Sequence, residues 1–191
     1  MPFRVRTFEK KDITKVKAFT DRAIGQNYYT EVELEGILKR SQLGDVTFSL
    51  VLEELATNKI FGIRITYPAG NWDKGKGKGL TPDKWKLKQT DAAYFQSLFV
   101  DPELTGNGWG KKLSEHSIQL LKSVGTKAIV THSWKESPND SSGRYLRSLG
   151  FELVATHPLY WHEVDYTCTR CGDQKCICTA EEMILYLGEK L

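Results

Sequence analysis

Hydrophobic residues alternate with polar ones in some stretches of this chain and recur every three or four positions in others. Residues 3–7 alternate, which predicts a short strand. A helix is predicted next, because Asp12 can cap its start and apolar residues return at helical spacing through residue 24. Thr30 and Glu33 have the spacing of a capping box, so a second helix is predicted to begin there.

The remaining elements follow from the same two patterns. Alternation over residues 46–52 and 61–67, with Asn58 between them, predicts a β-hairpin. Further along, the chain predicts strands at 94–100, 128–131, 151–161 and 183–187 and helices at 113–124 and 141–149. The order β-α-α-β-β-β-α-β-α-β-β indicates a single α/β domain over residues 1–191.

The most informative stretch joins the strand at 94–100 to the helix after it. Gly106, Gly108 and Gly110 alternate through a tight loop between them. This arrangement places unpaired backbone N–H groups at the positive end of a helix dipole, where they favour a phosphate group. Glycine accepts backbone angles that other residues resist, and it lets an anion approach the main chain closely.

Spacing excludes the two best-known phosphate loops. The dinucleotide fingerprint needs glycine where Lys111 stands, and the P-loop needs glycine at Thr105 and Ser or Thr at Lys112. The stretch instead resembles the coenzyme A loop of the GNAT superfamily of acyl-CoA N-acyltransferases, V-x-P-x-x-(R/Q)-G-x-G-x-(G/A). Val100, Pro102 and the three glycines match, and Thr105 departs from the Arg/Gln position. The alternative is an ordinary glycine-rich turn between a strand and a helix.

A second signature of that family is an Asn eleven residues before a Gly-Phe pair. Asn139 and Gly150-Phe151 have this spacing. Family members usually carry Tyr four residues before the glycine, where it protonates the departing thiolate. Leu146 stands at that position and Tyr145 precedes it, although adjacent helix residues point about 100° apart. Tyr145 is therefore the candidate general acid, with a packing role as the alternative.

The resemblance implies a fold and a set of site residues. The GNAT-type fold is an α/β fold with a mixed sheet of about seven strands and about four helices. The implied catalytic residues are Tyr145 and Asn139. The implied cofactor-binding residues are Phe99, Val100, Thr105, Gly106, Asn107, Gly108, Trp109, Gly110, Lys111 and Asn139, with the oxyanion held by a backbone N–H near Phe99 or Val100. Candidates for the base are His132, Glu136, Gln96 and Tyr94, each with a packing or surface role as the favoured alternative.

All four cysteines lie within eleven residues, as Cys168-x-x-Cys171-Gly172 followed by Cys176-x-Cys178. Cys-x-x-Cys-Gly is the shape of a knuckle that turns two thiolates toward one metal. Cys176 and Cys178 are two residues apart, so on a strand both sulfurs face the same side. Four converging thiolates match structural, tetrahedral Zn²⁺, with an iron–sulfur cluster, disulfides or free thiols as alternatives. We therefore predict a metal-binding hairpin at residues 166–180.

Charge and composition limit which partners and which cellular location are expected for the protein. The net charge is +3, and residues 71–90 hold six lysines and two aspartates, a net charge of +4. We interpret this segment as an inserted, mobile surface loop, with a patch that binds an acidic substrate, nucleic acid or the phosphates of coenzyme A as the less favoured alternative. The chain has no apolar stretch that could span a bilayer and no signal peptide, so a cytoplasmic location without a membrane partner is expected. The sequence leaves homodimer formation open.

These features predict an N-acetyltransferase that moves an acetyl group from acetyl-CoA to a primary amine of a small molecule or peptide and that carries structural zinc. Two other functions fit the same residues. Because Thr105 and Leu146 depart from the family pattern, the chain could bind or sense acyl-CoA without turnover. The cysteine hairpin and the lysine-rich loop could also make the fold a docking module.

Overall fold

The computed structural model describes residues 2–72, 79–164 and 168–188. Contacts within the chain divide it into two compact units, Met1–Trp72 with Ala93–Thr126 and Asp73–Ala92 with Lys127–Leu191. We call these the first and the second unit, and the single domain over residues 1–191 stays a prediction. Within the described ranges, no helix combines the length and the apolar character needed to cross a membrane. The core of the lysine-rich loop, residues 74–78, and residues 166–167 of the predicted hairpin lie outside the described residues.

The elements follow the predicted order with one addition. The strands are β1 (Phe3–Thr7), β2 (Gln42–Leu43), β3 (Val46–Thr47), β4 (Leu50–Glu54), β5 (Ile60–Tyr67), β6 (Ala92–Val100), β7 (Ala128–Trp134), β8 (Glu152–His157) and β9 (Ala180–Tyr186). The helices are α1 (Ile13–Ala23), α2 (Glu31–Arg40), α3 (Trp109–Ser123) and α4 (Ser141–Ser148). The short hairpin of β2 and β3 was not predicted, because two-residue strands are too short to show alternation.

The first unit contains a four-stranded antiparallel arrangement in the order β1-β4-β5-β6. α3 packs against β4 and β5, and α1 packs against β5. Leu50, Leu52 and Leu113 form a fully buried cluster, and Val100 and Trp109 pack against its margin. This packing holds the first turn of α3 beside the end of β6.

Two helix starts of the first unit differ in how their capping residues are used. The capping box of Thr30 and Glu33 is confirmed, since each accepts the other's backbone N–H, at 3.2 and 2.8 Å. Asp12 precedes α1 as predicted, but its side chain makes no cap bond to that helix. It instead accepts the Glu9 N–H at 3.0 Å and pairs with Arg6 at 2.6 Å. A buried carboxylate is better stabilised by a guanidinium than by one backbone N–H, which explains the difference.

Arg6 joins two buried carboxylates in the first unit. It contacts Asp12 on one side and Glu53 on the other, the latter at 2.8 Å. The hydrogen bond from Arg6, opposed by burial and supported by Arg4, lowers the pKa of Glu53 to about 2. An ion pair between Arg6 and Glu53 therefore joins β1 to β4 in addition to the backbone pairing of the two strands.

The second unit contains three antiparallel strands in the order β7-β9-β8, with α4 against β7. The segment before β6 is fastened to β9 by Glu182, which is fully buried. The Glu182 carboxylate accepts the Thr81 N–H and hydroxyl at 2.9 and 2.8 Å, the Trp85 indole N–H at 2.6 Å, and a bond from His157 at 2.8 Å. Burial alone would raise the pKa of Glu182, but these hydrogen bonds together hold it below its usual value.

Gly79, in the second unit, lies in a narrow space between the Tyr160 and His157 rings. A Cβ atom built there would lie 2.7 Å from the Tyr160 ring and 2.9 Å from the His157 ring, and φ is +74°. The Gly79 carbonyl also bonds to His132 Nε2 at 2.6 Å. Glycine is required at this position both by space and by backbone angle.

The predicted GNAT-type α/β fold, with a mixed sheet of about seven strands and about four helices, is confirmed. Element boundaries differ by a few residues. The predicted strand at 151–161 ends at His157 because turns occupy residues 158–163, and the strand predicted at 183–187 begins earlier, at Ala180. The predicted strand at 46–52 divides into β3 and β4.

Candidate active site

The chain leaves β6 through a firmly held turn in the first unit. Asp101 donates its backbone N–H to the Phe61 carbonyl at 2.8 Å, and its buried carboxylate accepts the Glu103 N–H at 3.1 Å and pairs with Arg22 at 2.8 Å. Residues 105–108, which include the predicted Thr105 and Asn107, are exposed immediately after this turn. The glycine loop therefore starts from a fixed point and faces solvent.

The loop has the backbone conformation that the glycine pattern predicted. Gly106 and Gly108 have φ values of +83° and +76°, in the left-handed region. Gly108 caps α3, and the first backbone bond of that helix runs from the Lys112 N–H to the Gly108 carbonyl at 3.0 Å. The N–H groups of Trp109 and Lys111 precede this bond, so they have no acceptor within the helix. The helix is 15 residues long and turns the positive end of its dipole toward the loop.

The side chains of this first helical turn are engaged within the first unit. The Trp109 ring lies 5.6 Å from the Phe3 ring, and the Lys112 ammonium lies 4.2 Å from the centre of the Trp109 ring. Lys111 is 3.8 Å from Glu115 on the exposed face of the helix. The groups of the first turn of α3 that can bind an anion are therefore mainly its backbone N–H groups.

Gly108 and Gly110 have different structural roles. A Cβ atom on Gly108 would meet nothing within 4 Å, so only its left-handed backbone requires glycine. A Cβ atom on Gly110 would lie 3.2 Å from a methyl group of Leu98 and 3.9 Å from one of Val100. Gly110 thus lets α3 approach β6 closely, whereas Gly108 shapes the loop.

β6 carries a bulge near its outer half. Ile65 pairs with Ser97 and Thr66 pairs with Phe95, which leaves Gln96 as the extra residue. The Gln96 side-chain oxygen is buried and has no hydrogen-bond partner among the described residues. Bulges are frequent next to active sites, and a buried unpaired acceptor calls for a donor from water or a ligand.

Two tyrosines of the loop between α1 and α2 lie against the same part of β6. The Tyr29 hydroxyl is 3.3 Å from the Ser97 hydroxyl, and the Tyr28 ring packs edge-on against the Phe99 ring at 5.4 Å. Burial raises the pKa of both tyrosines, so they stay protonated at neutral pH. Sequence patterns did not point to this contact, because it joins residues about seventy positions apart.

Asn139, the predicted second-signature residue, lies in the turn between β7 and α4 in the second unit. Asn139 and Asp140 both have φ of +53°, which is left-handed for two consecutive non-glycine residues. Asn139 is exposed, and its side-chain amide makes no hydrogen bond among the described residues. Such strained turns are common at functional sites.

Tyr145 and Leu146 lie on different faces of α4. Leu146 is 4% exposed and belongs to the core, while Tyr145 is half-buried. The residue at the family's tyrosine position therefore serves packing. The assignment of Tyr145 as general acid stays a prediction.

Three of the four candidate bases, Glu136, Tyr94 and His132, have structural partners. The Glu136 carboxylate accepts the Thr179 N–H at 3.0 Å, and the Tyr94 ring stacks on Trp72 at 5.1 Å. Burial lowers the pKa of His132 to about 4, so its imidazole is neutral at pH 7. Gln96 is an amide and cannot take up a proton at neutral pH.

The four cysteines converge in the second unit, which confirms the geometric part of the metal prediction. Their sulfur atoms all lie within 4.8 Å of one another, and none forms a disulfide. The Cys168–Cys178 and Cys171–Cys178 sulfur distances are 3.9 and 3.8 Å. With Zn–S bonds of about 2.3 Å, a regular tetrahedron has edges of about 3.8 Å. Gly172 has φ of +64°, as the knuckle requires, although residues 175–179 form no strand.

Two further groups near the sulfurs suit thiolates. The Trp134 ring packs against the cysteine cluster, and its buried indole N–H has no hydrogen-bond acceptor in normal geometry among the described residues. An Arg170 nitrogen lies 4.0 Å from the Cys178 sulfur. Burial raises the pKa of the Cys178 thiol to about 12, whereas Trp134 and Arg170 favour the thiolate. Zn²⁺ would supply the positive charge that stabilises four thiolates, of which those of Cys168, Cys176 and Cys178 are buried.

The comparison with known proteins agrees with this geometry. Residues 58–151 match the sequence model of the acetyltransferase (GNAT) family. A ribosomal-protein alanine N-acetyltransferase from Escherichia coli is 19% identical with a TM-score of 0.69, covering 100% of this chain and 99% of that chain. The structure of yncA from Salmonella typhimurium with its cofactor acetyl-CoA is 20% identical with a TM-score of 0.69, covering 100% and 97%.

A third solved structure differs in the acceptor that its name gives. The polyamine N-acetyltransferase from Drosophila melanogaster, which forms N-acetylagmatine, is 14% identical with a TM-score of 0.64 and covers 97% of this chain and 100% of that chain. No curated protein sequence matches this chain significantly. Residues 58–151 thus match the acetyltransferase (GNAT) family and the chain has the fold of GNAT N-acetyltransferases, and together these findings support an acyl-CoA-dependent N-acyltransferase.

Proposed function

We propose that this protein transfers the acetyl group of acetyl-CoA to a primary amine by direct attack. The observation that carries the proposal is the start of α3. There, Gly108 in the left-handed conformation precedes the N–H groups of Trp109 and Lys111, which have no acceptor within the helix. A pyrophosphate of coenzyme A fits this charge pattern. Phe99, Val100, Thr105, Gly106, Asn107, Gly110 and Asn139 complete the proposed cofactor-binding set.

The proposed reaction breaks one bond and forms one. The neutral amine nitrogen attacks the thioester carbonyl carbon, and a backbone N–H near Phe99 or Val100 stabilises the oxyanion. The C–S bond then breaks, and the thiolate of coenzyme A takes a proton from Tyr145. Water carries away the proton that the amine nitrogen loses. Solvent returns a proton to the Tyr145 phenolate, so the products are an acetamide and coenzyme A thiol, and one proton has passed from the amine through water to the thiol.

The acceptor is proposed to approach β6. The buried Gln96 oxygen lacks a partner among the described residues, and an amine N–H is a suitable donor for it. The names of the similar structures include a protein alanine and a polyamine as acceptors. Both belong to the class of primary amines, and we propose that class for this chain.

We also propose that Cys168, Cys171, Cys176 and Cys178 hold one structural Zn²⁺. Sulfur distances near 3.8 Å suit a single tetrahedral ion. An iron–sulfur cluster would separate the cysteine sulfurs further, because they bond different iron atoms. A filled shell of four thiolates leaves no open position, so the metal contributes stability and not chemistry.

The test is to incubate the purified chain with acetyl-CoA and either agmatine or an alanine-starting peptide. Acetylated product, detected by mass spectrometry and dependent on the chain, is the expected result. An acyl-CoA-binding protein without turnover would bind acetyl-CoA in calorimetry and acetylate no primary amine in a wider panel. The absence of both binding and product would reject the proposal. The cytoplasmic location and a homodimer stay predictions.

A further inference from the structure

One carboxylate, Glu136, connects the segment that carries the four cysteines to the chain that leaves β7. We call this segment, residues 168–178, the cysteine knuckle. Its two oxygens lie 3.2 and 3.0 Å from the Thr179 nitrogen and accept that N–H, and one of them lies 3.8 Å from Arg170. Thr179 directly follows Cys178, and its carbonyl accepts the Lys135 N–H at 3.1 Å. The residue next to a metal ligand is thus bonded in both directions to the two residues after β7.

These bonds fix Lys135 and Glu136, which directly precede the strained turn that carries Asn139. Within the turn, the Ser142 N–H donates to the Ser137 hydroxyl at 3.0 Å, and the Asp140 N–H donates to the Ser137 carbonyl at 2.9 Å. Consecutive left-handed residues such as Asn139 and Asp140 persist only where the surrounding structure determines them. Ser137 and Ser142 therefore stabilise the turn by bonds within it, and the bond that Glu136 accepts fixes the residue that directly precedes the turn.

Trp134 forms a second connection at the same place. Its ring packs against the cysteine cluster, while its backbone N–H lies 3.3 Å from the Ser142 hydroxyl. The knuckle consequently contacts both the last residue of β7 and the second residue after it. A change in the knuckle would reach the turn through either contact.

We propose that Glu136 is a positioning residue that couples the metal-loaded knuckle to the turn carrying Asn139. Without metal, the segment around Cys178 loosens, the Thr179 N–H moves away from Glu136, and the turn relaxes from its strained form. Asn139 then no longer holds the conformation in which it serves acetyl-CoA. This last step rests on the proposed function, whereas the coupling between knuckle and turn does not.

Hydrogen exchange measured by mass spectrometry tests the coupling without an activity assay. In Glu136→Ala, exchange in a peptide covering residues 135–142 should be about tenfold faster, because a hydrogen bond to a charged group is lost. Glu136→Gln should lie between this variant and the unchanged protein, since its amide oxygen still accepts the Thr179 N–H. Asp173→Asn is the matched control. It removes an exposed carboxylate of the same knuckle that forms no hydrogen bond or ion pair among the described residues.

Three further measurements separate positioning from a purely structural role. Each Glu136 variant should keep one zinc per chain and an unchanged far-UV spectrum, and Glu136→Ala should raise the KM for acetyl-CoA severalfold. Removing zinc from the unchanged protein with a chelator should speed exchange in residues 135–142. The same treatment should have a smaller effect in Glu136→Ala, because only the Trp134 contact then connects the knuckle to the turn.

The outcomes are distinct. Equal exchange in Glu136→Ala and Asp173→Asn would overturn the coupling, and so would loss of zinc from both Glu136 variants, since Glu136 would then serve metal retention. Faster exchange in a protein that acetylates no amine would support the coupling and reject the proposed function. Acetyl transfer with an unchanged KM in Glu136→Ala would overturn the link between the turn and acetyl-CoA.

Discussion

Replacing Gly108 by alanine separates the backbone angle of the loop from its contact with acetyl-CoA. The chain offers a matched control at the other end of α3. Gly108 and Gly125 have φ of +76° and +75°, and a Cβ atom on either would meet nothing within 4 Å. Alanine should therefore impose the same strain at both positions, about 1–2 kcal/mol for a left-handed residue. For a chain of this length, each kcal/mol lowers the Tm by about 2–4 °C.

Only Gly108→Ala should weaken acetyl-CoA binding. The added methyl group lies in the exposed loop, where the proposed pyrophosphate approaches the N–H groups of Trp109 and Lys111. Losing one hydrogen bond to a charged group costs about 1.5–3 kcal/mol, which corresponds to roughly a ten- to hundredfold higher Kd. Isothermal calorimetry with acetyl-CoA gives the Kd, and a thermal melt of each variant gives the stability.

The two variants should therefore have similar Tm values and very different affinities. If both bound acetyl-CoA as tightly as the unchanged protein, the loop would not be the phosphate site. If both lost affinity equally, the loss would reflect general destabilisation. Gly110→Ala is a poorer probe, because its Cβ atom would press on Leu98 at 3.2 Å and shift α3.

Three other predictions concern the metal, the acid and the response to pH. The purified protein should contain one zinc per chain and be colourless, and Cys171→Ser should lower both zinc content and Tm because metal binding energy is folding energy; elemental analysis without metal would contradict this. Tyr145→Phe should lower turnover by about 10²–10⁴-fold with little change in acetyl-CoA affinity, and a loss below about threefold would assign the proton to solvent. The Arg6 hydrogen bonds hold the pKa of Glu53 at about 2, below the usual 4.5, so the stability gained at neutral pH should be lost as pH falls from about 4.5 toward 2. At about 1.4 kcal/mol per pKa unit this loss is at most about 3.5 kcal/mol. Glu53→Gln should flatten the dependence of Tm on pH in that window, and an unchanged slope would argue against the pairing.

Features set by neighbouring residues were predictable from the sequence. The capping box of Thr30 and Glu33 depends on residues three apart, and the left-handed Gly106, Gly108 and Gly172 depend on local turn geometry. Such signals determine each element almost independently of the rest of the chain. The order of elements and the converging cysteines could therefore be predicted.

Features set by distant residues were not predictable. Glu182 takes its partners from Thr81 and Trp85, about a hundred positions away, and Glu136 meets Thr179 forty-three positions later. The local sequence predicted that Asp12 caps a helix, but in the fold its buried carboxylate pairs with Arg6 instead. No local pattern shows which distant donor a carboxylate will meet, because only the folded chain brings them together.

Gly79 has a consequence for how this protein can vary. Because only a glycine fits between Tyr160 and His157, sliding the chain by one residue in either direction would place a side chain where there is no space. Glu182 then fixes Thr81 and Trp85 in the same alignment. Lengthening or shortening the chain after Gly79 should therefore disrupt the second unit. A change of length before Gly79 leaves the spacing from Gly79 to Thr81 and Trp85 unchanged, so it would not by itself alter this alignment.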